Sequence, residues 1–261
     1  MIKFSINNKK YKIEKIRIKD LYYILDAMKY EEKEAGIKII SELSGAPESE
    51  VALLKTYQFN PLYSLLVEKL KITRNYPLQT KIYLNGIKYG FINFENMTIG
   101  ELADLEIIKA DPKADYLTHQ ILSILYRPIT KDREVDYEVE EYNGAKCKKR
   151  SEDFLELDVE VMYGAIFFFN NFHTNFHRSY SKSLGGEGDG DGEGSQGGII
   201  PTKQKTIRYW IEVFYLIAGE DPLKLNEAAN IGIYHCFNFL VRKKEQYKKE
   251  MMEMAKSRGR M

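Results

Sequence analysis

Cysteine, proline and tryptophan are all scarce here: two Cys, seven Pro and one Trp in 261 residues. Two cysteines cannot build a disulfide framework, so Cys147 and Cys236 are expected as free thiols in a reducing compartment, with Cys236 buried and inert. An excess of either charge is also missing. Lys and Arg total 39 and Asp and Glu 38, for a net charge of +1, which argues against a general nucleic-acid binder. There is no long apolar run. The longest, "GAIFFF" from Gly164, is far too short to cross a bilayer, and the opening "MIKFSINNKK" lacks an apolar core of signal-peptide length. A soluble, cytoplasmic protein is the expectation. Also lacking are a P-loop, a G-x-G-x-x-G after a strand and a G-x-S-x-G elbow. No catalytic and no cofactor-binding residue is therefore assigned, and the chain is not expected to be an enzyme.

Tyrosine and phenylalanine, in contrast, are plentiful, at 19 and 13. At that density they serve large contact surfaces, inside a fold or between chains. The first of them frame a hairpin: Phe4, Ile6, Tyr11 and Ile13 alternate around "NNKK", and Asn-Asn tolerates left-handed backbone. A second hairpin, "KIYLNGIKYG" from Lys81, holds Asn-Gly between alternating apolar residues, the strongest short-range hairpin signal. Ile6, Asn7, Lys10 and Tyr11 align with Leu84, Asn85, Lys88 and Tyr89. The match is either an internal duplication or two similar turns.

Helical spacing follows each hairpin. Ile18, Leu21, Tyr22 and Leu25 open one helix, and another covers about 33–43, with Ser44-Gly45 as its stop. Pro47 with Glu48 and Glu50 suits a helix start, and Asn60 followed by Pro61 reads as the cap and first residue of the next. Thr98 with Glu101 is a capping-box pattern. A helix over "ADPKADYLTHQILSILYRP" is limited by Pro128, and Tyr137, Val139 and Tyr142 suggest an edge strand. "DVEVMYGAIFFFNNF" is apolar nearly all round, so its helix should be the most buried. Eight of the fourteen residues 185–198 are Gly, a composition expected to stay flexible. Two helices close the chain. The fold expected is α+β and mainly helical: two β-hairpins each followed by helices, then a C-terminal helix pair. The expected division is 1–75, 76–184, a linker at 185–205, and 206–261 packing on the second part.

Chemical candidates are few. His173 and His177 stand at i, i+4 in "HTNFH", the spacing of zinc proteases, but Thr174 replaces the Glu those enzymes need and no third ligand is evident. A structural or surface role is preferred and no metal ligand is assigned. His119 and His235 are expected at core or boundary positions. "DGDGEG" fails both calcium patterns: the twelfth position of an EF-hand loop counted from Asp189 is Ile200, and the glycine-rich repeat needs Asp two residues after Gly188, where Gly190 stands. Asp104, Glu106, Glu156 and Asp158 read as a charged face. Phe168, Phe172 and Phe176, with Tyr209 and Trp210, are the candidate partner-binding residues, the aromatic helix being core first and contact surface second.

The succession "YLNGIKYG", "MTIGELADLE", "HQILSILYRP", "EEYNG", "DVEVMYGAIFFFNNF" and, after a gap, "RYWIEVFYLIAGEDPLKLNEAANIGIYHCFNFLVRKKE" resembles proteins of bacteriophage tail modules. It is similar to tail assembly chaperones and to baseplate-hub assembly proteins of the T-even type. The likeness covers about half the chain, from Thr80 to Phe172 and Ile207 to Glu245. The first 75 residues and the glycine-rich insert depart from it. It implies no catalytic residues. It implies a non-enzymatic assembly protein that holds apolar helices of a tape-measure or baseplate-hub partner, in the cytoplasm of an infected bacterium. A structural place in the tail, baseplate or neck of the virion is the alternative.

Overall fold

The computed structural model describes residues 1–70, 76–184 and 202–258. Most of the glycine-rich 185–205 segment therefore lies outside the described residues. The fold is α+β and mainly helical, with two small antiparallel sheets.

Strands β1 (Ile2–Ile6) and β2 (Lys9–Ile13) pair antiparallel, with Ile6 opposite Lys9. Asn7 and Asn8 take φ of 48° and 66°, the left-handed pair that a two-residue hairpin turn requires. Helix α1 (Ile18–Ala27) follows, with the Arg17 N–H donating to Asp20 Oδ2 at 2.8 Å. Helix α2 (Glu32–Ser44) ends at Gly45, as expected. Pro47 then begins only a single turn, α3 (Glu48–Val51), before α4 (Thr56–Leu70).

Pro61 does not open a helix. It sits inside α4, because the Lys55 carbonyl already accepts from the Gln58 and Phe59 N–H groups at 2.8 and 3.0 Å. The missing proline N–H deprives only the Tyr57 carbonyl, and Tyr57 is 70% exposed, so water can serve it.

Strands β3 (Lys81–Leu84) and β4 (Ile87–Phe91) form the second hairpin around Asn85 and Gly86, at φ of 49° and 77°. Unlike the first, it is half of a larger sheet. Thr98 caps α5 (Ile99–Lys109), its Oγ1 accepting from Glu101 N–H at 3.3 Å. Helix α6 (Thr118–Leu125) stops three residues before Pro128, and the chain passes directly into β5 (Tyr126–Asp132). The expected helix thus loses its end to a strand. Pro128 disfavours helical geometry at Arg127, and Arg127 and Tyr126 instead lie opposite Gly90 and Phe91. Strand β6 (Tyr137–Val139) completes the order β3-β4-β5-β6 as an edge. Helix α7 (Gly144–Arg150) and a 3-10 segment lead to α8 (Val159–Leu184). Then come α9 (Lys203–Ala218), the short α10 (Leu225–Ala229) and α11 (Ile233–Arg258). The stretch read as one final helix breaks at 230–232.

The chain divides into two compact units, and the cuts differ from the expected 75/76 and 184/185 boundaries. The first unit is Met1–Phe91 with Asp115–Glu140 and Ala145–Phe167; the second is Ile92–Ala114, Glu141–Gly144 and everything from Phe168. Both hairpins belong to the first. The reason is hydrogen bonding: Ile18 N–H donates to the Leu157 carbonyl at 3.0 Å and Val159 N–H to that of Ile16 at 2.9 Å. These bonds tie the N-terminal helices to the residues before α8. The core of this unit includes Ile13, Ile18, Ile39, Leu66, Tyr89, Tyr126 and Phe154. In the second unit, Ile99 N–H donates to the Ile231 carbonyl and Ile233 N–H to that of Met97, each at 2.9 Å, so α5 and α11 start side by side. Met97, Leu102, Leu105, Phe169, Phe176, Trp210, Ile233 and Phe237 fill its core.

Candidate functional site

Helix α5 places an unexpected carboxylate in the second unit. Ile99, Leu102, Ala103 and Leu105 are buried, and Glu106 shares their face at i+4 from Leu102. It is not part of a solvated charged face. Its Oε1 accepts from both α8 histidines, at 3.0 Å from Nε2 of His173 and 2.7 Å from Nε2 of His177. Its Oε2 accepts from the Trp210 indole N–H at 3.0 Å. Three helices converge on one side chain.

The i, i+4 spacing brings the two imidazoles together, with ring centroids 4.3 Å apart and planes tilted by 55°. Burial opposes the charge on Glu106, but the hydrogen bonds from His173 and His177 outweigh it and hold the carboxyl down to about 2. Burial lowers the His173 pKa despite the carboxylate beside it, and Lys109 pushes in the same direction. Lys109 is itself held low by burial; its Nζ donates to Asn170 Oδ1 at 3.1 Å and lies 5.3 Å from the Phe169 ring centroid. One atom from each of Glu106, His173 and His177 falls within 4.8 Å of the other two.

The candidate partner-binding residues separate into two groups. Phe176 and Trp210 are buried, at 4% and 1% exposure, so they are core residues and not contact surface. Phe176 touches Phe237 in an edge-to-face arrangement, and Trp210 serves Glu106. Phe168 and Tyr209 are exposed, and Phe172 is half-buried against Phe94, with centroids 4.1 Å apart. Helix α8 is accordingly less buried than its composition suggests: Phe167 and Phe168 face outward.

Tyr209 belongs to a more extended surface. With Val213 and Leu216 of α9 and Leu240 and Tyr247 of α11 it lines a groove of about 390 Å³, bordered by Glu212, Lys243 and Lys244. Leu240, Lys244, Tyr247, Met251 and Met254 follow one another at steps of four, three, four and three along α11, a single helical face. From Lys243 onward no described residue of α11 is buried, and Tyr247, Met251 and Met254 are 63%, 49% and 56% exposed. The aromatic and methionine stripe thus leaves the groove and continues uncovered along the helix.

Other candidates have structural explanations. His119 is buried in the first unit, its Nδ1 2.9 Å from the Tyr22 hydroxyl. His235 is exposed, away from the core or boundary position expected for it. Cys236 is buried and its thiol is pushed up to about 12, which leaves it protonated and inert. Asp104 accepts from the Tyr142 hydroxyl. Among the described residues no helix is long and apolar enough to cross a membrane.

No family model matches the chain, and no curated protein or solved structure does so either.

Proposed function

We propose that this protein is a non-enzymatic assembly factor of a bacteriophage tail or baseplate. On this reading it holds an amphipathic helix of a tail protein in the α9–α11 groove and along the outer half of α11. The observation that carries the contact function is the stripe that starts at half-buried Leu240 in the groove and continues, exposed, through Tyr247 and Met251 to Met254. Long apolar side chains at heptad steps are the form in which helices grip helices, and methionine adapts to partners of varied shape. Lysines border the groove on its α11 side, so the partner helix should flank its own apolar face with acidic residues. The phage setting is supported by the order of hairpin, capped helix, paired phenylalanines and final helix pair in the sequence.

The test compares particles with the cells that make them. Quantitative mass spectrometry should find the chain in infected-cell lysate in complex with a tail protein, and at trace level or absent in purified virions. Stoichiometric copies in the virion would make it a structural component instead. Leu216→Glu with Met251→Glu should abolish the complex while leaving the melting temperature unchanged. An unaffected complex would discard the groove.

A further inference from the structure

We propose that Glu106, His173 and His177 form a binding site for one zinc ion in the second unit. The site stands independently of the helix-binding groove, none of whose lining residues is among the three ligands. Two imidazoles and one carboxylate are a donor set suited to a borderline divalent ion such as zinc. The missing protease glutamate is no obstacle to binding, because in those enzymes it is a general base and not a ligand; the third ligand here is Glu106, from another helix.

The geometry is close to what coordination needs. Zinc ligands at about 2.0–2.1 Å in a tetrahedron stand roughly 3.3 Å apart. The two Nε2 atoms are already 3.0 and 2.7 Å from Glu106 Oε1, so these separations must open by about 0.3 and 0.6 Å. Each imidazole would then carry its proton on Nδ1 and present the Nε2 lone pair to the ion. The outer support is present as well: the Trp210 N–H holds Oε2 of the same carboxylate, as outer hydrogen bonds do for metal-bound carboxylates. The His177 side chain is 40% exposed, which gives the ion a route in and leaves a water the fourth position. Lys109 is a charge near the site that opposes a cation, and its ammonium is bonded to Asn170.

The test is zinc binding by the purified full chain after chelator treatment, read by competition with a chromogenic indicator and by thermal melting. The expected result is one zinc per chain and a higher melting temperature with zinc present. Glu106→Gln and His177→Gln should each weaken binding by more than about tenfold, and exposed His235→Ala should not change it. Cobalt(II) should give a visible absorption band in the wild type that His177→Gln loses. Should Glu106→Gln fail to fold, His177→Gln decides alone, since its side chain is partly in solvent. Absence of stoichiometric zinc in the wild type, or equal binding by His173→Gln/His177→Gln, overturns the assignment.

Discussion

The indole nitrogen of Trp210 donates to Oε2 of Glu106 at 3.0 Å, across 104 residues of sequence. The chain's only tryptophan is thus bonded to a carboxylate whose other oxygen already accepts twice. Trp210→Phe keeps most of the buried ring and removes the donor. A hydrogen bond to a charged group contributes about 1.5–3 kcal/mol, and a loss of that size is expected from urea unfolding followed by circular dichroism.

Gly164 lies within α8, where alanine would ordinarily stabilise by up to about 1 kcal/mol. Here a Cβ would meet the Pro77 carbonyl oxygen at 2.6 Å and that of Tyr76 at 3.2 Å. Backbone cannot step aside as a side chain tip can. Gly164→Ala is therefore expected to destabilise by about 1–3 kcal/mol. A gain in melting temperature would mean that the 76–77 segment does not pass there.

Asn85 and Gly86 both hold positive φ. Replacing both by valine forces a β-branched residue into left-handed geometry twice, at roughly 1–2 kcal/mol each. A large drop in melting temperature is the expected outcome. Since β4 also pairs with β5, the four-stranded sheet should fray with it, visible as faster amide exchange at Tyr126 and Arg127.

Burial lowers the His119 pKa, with Glu152, 3.8 Å from its Nε2, opposing the shift. In the unfolded chain the group titrates near 6.5. Above that pH both states are neutral and the full stability is present. Below it the unfolded chain takes up the proton first, so stability falls with pH until the folded pKa is passed. The Tyr22 hydroxyl facing Nδ1 stays neutral throughout this range, its own pKa raised by burial. In chelator-treated protein, His119→Gln should reduce the slope of unfolding free energy against pH below about 6.5. His173, also lowered by burial, leaves a residual slope.

Local chemistry was the readable part of this chain. Asn-Asn and Asn-Gly determine their turns through backbone angles that few other residues accept, so both hairpins stood out. Thr98 and Gly45 mark helix ends for equally local reasons. What depended on distant partners was misread. Tyr126 and Arg127 continue a helical apolar pattern, and only pairing with Phe91 and Gly90 makes them strand. The unit boundaries depended on bonds from residues 16–18 to residues 157–159, which no local pattern announces. At the candidate site the two histidines were legible by spacing, but the third member was not. Glu106 did leave one sign: a carboxylate at i+4 from Leu102 and i+7 from Ile99 sits on an otherwise apolar stripe, where charge is costly without a partner.

Both native thiols are sealed in the interior, at 1% exposure each. Alkylating reagents should pass the folded chain by. A cysteine in place of Tyr247 would then be the single addressable thiol, and a fluorophore attached there would report directly on whatever enters the groove, with neither native cysteine removed to make the label specific.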